Sequence, residues 1–175
     1  LSYPILRHIL NSSGVIRYPE AQFDMVRLGI GLYGYDPTLE LSGKLEQVSR
    51  LRTTISQIKE VKAGETVGYS RKGVAERDMR IATVRVGYAD GLNRRLSRGV
   101  GKMIINGKEA PIFGNVCMDM CMIDITDIGK VEEGDPVIVF GPERPVHILA
   151  KEIGTIPYEI LTSISARVKR VYFQE

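Results

Sequence analysis

From residue 45 onward the chain is a succession of short β-prone runs divided by turn residues, and no other feature limits its fold so strongly. The clearest case is "KMIINGKEAPI", residues 102–112, where Asn106-Gly107 interrupts a β-prone run. A two-residue Asn-Gly loop takes positive φ at both positions, which suits the right-handed twist of a hairpin. "LRTTISQIKEVKAGETV" (51–67) alternates apolar and polar residues, as a half-buried strand does. "MRIATVRVGYADG" (79–91) is a strand ending in an Asp-Gly turn, and "VCMDMCMIDIT" (116–126) and "GDPVIVFG" (134–141) read as two more. "VHILAKEIG" (146–154) reads as a short helix stopped by Gly154, "PYEILTSI" (157–164) as a second, and "RVKRVYF" (167–173) as a last strand.

The first residues follow another pattern. "ILRHILNSSG" (5–14) and "FDMVRLGIGLYGY" (23–35) are apolar runs, the second ending in a turn at Asp36-Pro37. They read as buried strands, neighbours in a parallel α/β sheet, although "GVIRYPEAQ" between them is too short for a full crossover helix. The chain opens at Leu1 inside an apolar run, which reads as a piece of a longer protein. The expected fold class is therefore mainly β. Residues 45–175 form an antiparallel, barrel-like β domain, and residues 1–44 are the last strands of an α/β domain.

Composition excludes more than it identifies. Net charge is +3, from 24 basic and 21 acidic residues spread along the chain, which offers nucleic acid or an anionic membrane nothing to hold. No apolar run reaches the roughly 20 residues of a membrane span. Cys117 and Cys121 on one straight strand would stand about 13 Å apart, too far for a disulfide. Two cysteines without a bridge suit a reducing, cytoplasmic setting.

Taken singly, the candidate functional residues are unremarkable in type. Tyr69, in "AGETVGYSRKG", can exchange protons only if cations or hydrogen bonds favour phenolate, since a free tyrosine has a pKa of about 10. Alone it reads as structural. Tyr88 lies at a strand end beside a tight turn. Met118 and Asp119 alternate on a strand, so that one faces in and the other out. Asn11, Ser12, Ser13 and Gly14 could offer donors to a phosphate. Arg27, inside an apolar run, needs a partner if buried.

Their combination is specific. "HILNSSG", "FDMVRLGIGLYG", "VGYS", "VGYADG" followed by "NRRL", and "GNVCMDMCMIDIT" occur in this order, with 16 residues from Asn11 to Arg27 and 19 from Tyr69 to Tyr88. Together they resemble the alanine racemase family from about His8 to the end. The resemblance implies a pyridoxal-phosphate enzyme with a (β/α)8 barrel, of which residues 1–44 would be the truncated end, and a C-terminal β domain over residues 45–175. It implies a homodimer whose active site is shared between subunits, alanine as substrate, and D-alanine supplied for peptidoglycan. Tyr69 matches the base on the L-alanine face, Met118 the residue whose N–H meets the substrate carboxylate, and Tyr88 a tyrosine narrowing the entrance. Arg27 matches the arginine facing the pyridine nitrogen. Asn11 and Ser12, with Gly29 and Ile30, match the phosphate site, and His8 a histidine near the ring. The cofactor lysine would lie upstream, so this stretch alone is expected to be inactive and to hold pyridoxal phosphate weakly. One departure is Ala166 in "ISARV", where the family often has a tyrosine; this loosens the expectation of strict alanine specificity and admits serine. The alternatives are a related pyridoxal-phosphate decarboxylase and a non-catalytic dimerisation domain.

Overall fold

Asn106 and Gly107 take φ of 49° and 75°, closing a tight hairpin between β5 (Lys102–Ile105) and β6 (Lys108–Phe113), with Ile105 opposite Lys108. That hairpin is one segment of a closed barrel in a computed structural model, which describes residues 3–38, 40–41 and 43–173. The chain forms two compact units, one ending at Ser49 and one beginning at Arg50.

The second unit is mainly β. Its barrel joins β1 (Leu51–Val61), β4 (Met79–Val84), β7 (Cys121–Asp124), β6, β5 and β8 (Pro136–Phe140), in that order, every pairing antiparallel. A two-stranded ribbon, β2 (Thr66–Val67) with β3 (Gly73–Val74), stands between β1 and β4 in sequence. Alternate residues fill the interior: Ala82 and Val84, Met103 and Ile105, Ala110 and Ile112, Cys121 and Ile123, Val137 and Val139. Each large aliphatic among them contributes about 1.5–3 kcal/mol by leaving water. On β4 and β7 the outward residues Met79, Ile81 and Met122 are buried too, in a second cluster with Val61, Ala75 and Cys117. Double burial explains why "MRIATV" and "CMID" read as nearly continuous apolar runs rather than clean alternation.

Helix α2 (Val146–Ile153) buries Val146, Leu149, Ala150 and Ile153, one face at helical spacing, against the barrel core. Gly154 ends it at φ 71°, and Thr155 N–H returns to the Ala150 carbonyl at 2.8 Å. Helix α3 (Pro157–Ser163) follows and adds Ile160 to the same core. The strand read at residues 167–173 does not form. The barrel is closed and offers no edge to pair with, and the Arg170 guanidinium occupies the Ile164, Ser165 and Val168 carbonyls instead.

In the first unit neither apolar run is a regular strand among the described residues; Leu1 and Ser2, which open the first run, lie outside them. The runs do lie side by side in parallel: Asp24 N–H bonds the Arg7 carbonyl at 3.1 Å and Arg27 N–H the Leu10 carbonyl at 2.9 Å, both offset by 17 residues. Two bonds three residues apart make no ladder, and Ile5, Leu6, Ile9, Met25 and Leu28 are exposed rather than buried. After the first run comes α1 (Ser12–Arg17), capped by the Asn11 side chain. Ile30–Tyr33, within the second run, coils into a short 3-10 helix.

One charged group sits deep in the second unit. Arg144, 2% exposed, bonds Glu109 on β6 at 3.2 Å and Glu152 on α2, tying hairpin to helix. Removing one member of such a set strands the other. Arg144→Leu is expected to cost about 3–5 kcal/mol in urea unfolding, and Arg144→Leu combined with Glu152→Leu distinctly less.

Candidate active site

The parity of β1 changes midway. Leu51 and Ile55 face the barrel interior, but a bulge between Ile55 and Gln57 shifts the phase. Beyond it Ile58 packs inward, and Gln57, Lys59 and Val61 face out. With Ile81 and Thr83 of β4 and Met122 of β7, these residues floor a cavity of about 530 Å³ on the outer face of the sheet. Val67, Gly68, Tyr69 and the 117–120 turn complete its lining.

Tyr69 opens a 3-10 turn and is 72% exposed. Its backbone is nevertheless held. Gly68 stands at φ 77°, where a Cβ would also come within 2.8 Å of the Met122 methyl, and Asn115 Nδ2 donates to the Tyr69 carbonyl at 3.2 Å. Ser70 and Arg71 both have positive φ, at 58° and 52°, a conformation that β-carbons disfavour. The Arg71 guanidinium bonds Thr66 Oγ1 at 3.1 Å.

Met118 and Asp119 are not on a strand. Cys117 N–H bonds the Met120 carbonyl at 2.9 Å, so the backbone turns and β7 begins only at Cys121. The assumed straight span between the cysteines is absent for the same reason. Both thiols are free, Cys117 in the outer cluster and Cys121 in the barrel core. Met118, 52% exposed, lines the cavity with Tyr69. Among the described residues its N–H donates to no group. Tyr88 is not among the lining residues, but its N–H bonds the Cys117 carbonyl at 3.0 Å, and Ala89 N–H bonds the Met118 carbonyl at 3.0 Å. This backbone contact demands Gly87: a Cβ there would lie 2.2 Å from the Met118 carbonyl oxygen.

In the first unit Ser12 is buried, and its Oγ accepts from Gly29 N–H at 2.9 Å and Gly31 N–H at 3.3 Å. A hydroxyl and several backbone N–H groups gathered at one point suit a phosphate monoester. The Asn11 side-chain oxygen is already engaged by Gly14 N–H at 3.0 Å. Arg27 is exposed, not buried, and Nη2 donates to the Ile9 carbonyl at 3.1 Å, so the cost of an unpaired buried arginine does not arise. His8 is exposed.

Two groups around the cavity had no local mark in the sequence. Asn115 holds Tyr69 across 46 residues, and Arg167 bonds Asp90 and Asp119 across 77 and 48. Such partners are set by the fold, and nothing beside Asp90 or Asp119 in the sequence marks the pairing with Arg167.

These features have counterparts in known proteins. Residues 48–172 match the family model described as alanine racemase, C-terminal domain, and residues 2–37 match alanine racemase, N-terminal domain. An alanine racemase of Clostridium acetobutylicum is 46% identical over 97% of this chain and 45% of its own length. An alanine racemase of Bartonella henselae, solved with covalently bound pyridoxal phosphate, superposes with a TM-score of 0.90 at 38% identity, over 95% of this chain and 46% of that one. One from Clostridium difficile 630 in complex with cycloserine gives 0.83 at 36% identity, over 92% of this chain and 44% of that one. The second unit is a closed antiparallel β-barrel domain, and the chain belongs to the alanine racemase family. It spans less than half the length of the relatives it matches. Among the described residues no helix is long and apolar enough to cross a membrane.

Two outcomes follow from this geometry. Gly87→Ala is expected to cost about 1–3 kcal/mol in denaturant unfolding, because backbone rather than a flexible side chain must yield. Burial pushes both thiols above the ordinary cysteine range. Thiolate is the reactive form, so a colorimetric disulfide reagent at neutral pH is expected to label neither cysteine appreciably until denaturant is added, with Cys121 the slower.

Proposed function

We propose that this chain supplies the C-terminal part of a pyridoxal-phosphate-dependent racemase that interconverts L- and D-alanine, with Tyr69 exchanging the Cα proton on the L-alanine face. The observation that carries this reading is the pairing of Tyr69 and the unengaged Met118 N–H around one cavity, in a chain of this family. When bound, the cofactor withdraws electrons from the substrate Cα and makes its proton removable.

The residues divide the work. Met118 N–H donates to the substrate carboxylate and thereby sets Cα relative to the Tyr69 hydroxyl. Tyr88 limits the room beyond the substrate. Ser12, Asn11 and the N–H groups of Gly29 and Ile30 would hold the phosphate, with the Gly29 N–H turning from Ser12 Oγ to do so, and His8 would serve the ring. Arg27 would face the pyridine nitrogen, and because a guanidinium is a poor proton donor it would moderate the electron withdrawal the cofactor supplies. Ala166 leaves space that a larger side chain would fill, which admits serine beside alanine.

The two residue groups belong to different units, and in this reading one site is assembled across a homodimer, the first group from one subunit and the second from its partner. The product, D-alanine, feeds peptidoglycan synthesis in the cytoplasm. Residues 1–175 alone are inactive and hold pyridoxal phosphate weakly.

The test uses the full-length protein that carries this chain, with pyridoxal phosphate and L-alanine, following D-alanine, and L-serine in parallel. Tyr69→Phe is expected to lower alanine turnover by about 10²–10⁴-fold, the range for a positioned proton-transfer group, with thermal stability little changed. Undiminished turnover in both directions would remove Tyr69 from the chemistry. Carbon dioxide release in place of D-alanine would mean a decarboxylase.

A further inference from the structure

Three stretches far apart in sequence meet beside the cavity: the 87–91 turn, the 117–120 turn, and residues 163–168. The first two are joined through backbone, by Tyr88 N–H to the Cys117 carbonyl and Ala89 N–H to the Met118 carbonyl. A trans peptide is flat, with its N–H and C=O opposed. Holding the Cys117 carbonyl toward Tyr88 therefore points the Met118 N–H away from the 87–91 turn. Whatever fixes the two turns against each other fixes the aim of that donor.

Side chains complete the lock. Arg167 Nε bonds Asp90 Oδ1 at 2.8 Å, and Arg167 Nη2 bonds Asp119 Oδ1 at 2.7 Å. The other Asp90 oxygen accepts Gly87 N–H at 2.8 Å, so the same carboxylate closes the turn and takes the arginine. Arg167 is itself seated, since Ser165 N–H bonds the Asp90 carbonyl at 3.1 Å and Ser165 Oγ accepts Arg167 N–H at 3.4 Å. One planar guanidinium thus spans two carboxylates from two turns, which a lysine cannot do with the same geometry. Arg167 is nearly half exposed, and exposed ion pairs add little to folding stability. Its effect lies in orientation and local charge. Without it two aspartates stand uncompensated beside Met118, and a ligand carboxylate approaching the Met118 N–H meets like charge.

We propose that Arg167 is a positioning residue of the active site. It holds the Tyr88 and Met118 turns in register and offsets one of the two negative charges of Asp90 and Asp119, which eases the approach of an amino-acid carboxylate to the Met118 N–H. This rests on the racemase reading above. In the full-length protein, Arg167→Gln is expected to raise KM for alanine about tenfold at low ionic strength, the loss of a charge-assisted contact. The thermal midpoint and kcat should move little. The KM defect should shrink as salt screens the two aspartates, and Arg167→Lys should fall between wild type and Arg167→Gln. An active wild type beside an Arg167→Gln variant with unchanged KM would overturn the positioning role. So would a KM raised equally in both variants, insensitive to salt and accompanied by a fall in thermal midpoint, which would make Arg167 a folding contact. A wild-type protein that does not racemise alanine would instead remove the racemase reading.

Discussion

Strand β1 bonds β8 along its first residues, from Leu51 opposite Phe140 to Thr54 opposite Pro136, and β4 along its second half, from Ile55 opposite Val84 to Val61 opposite Met79. That double service closes the barrel. With no edge left to template other chains, the interior residues are sealed from water, and helices α2 and α3 pack onto the same core. The β1 register is irregular at Leu51/Arg52 against β8 and at Ile55/Gln57 against β4. The second also turns Gln57, Lys59 and Val61 outward, so the bulge makes the cavity floor.

The rest of the cavity is built from turns, and turns hold a shape only when their backbones are engaged. The 117–120 turn is fastened to the 87–91 turn by paired backbone bonds and to itself by Cys117 N–H. Tyr69 is reached by the Asn115 amide from the loop between β6 and β7. An exposed phenol on a fixed backbone is what a group acting on a ligand needs: free at the tip, held at the root. Buried polar pairing serves the opposite purpose at Arg144, where three charged side chains fasten helix to hairpin.

Much of the barrel was legible from local pattern. Asn106-Gly107 made its hairpin because the backbone dihedrals that turn requires are ones those two residues tolerate. Gly154 stopped α2, and the runs at 51–61, 79–84 and 136–140 became strands, since their periodicity reflects a local preference. Local pattern misled where the outcome depended on a distant partner. Residues 167–173 look like a strand, but the closed barrel offered them no edge. "VCMDM" looks like the start of one, but the 87–91 turn takes the Cys117 and Met118 carbonyls that a ladder would have used. The apolar runs before Asp36 look buried, yet many of their large side chains are exposed.

The same division holds for the site. The sequence by itself determined the residue types and their order, from Asn11 and Ser12 through Arg27, Tyr69 and Tyr88 to Met118, and that order marks the family. It also determined the tight turns, because positive φ and short loops are properties of one or two residues. Tertiary structure alone decided that Tyr69 and Met118 share a cavity, that the Met118 N–H has no partner among the described residues, and that Arg167 joins Asp90 to Asp119. Those facts rest on hydrogen bonds between groups dozens of residues apart, and such pairings exist only once the barrel has closed and brought its loops together.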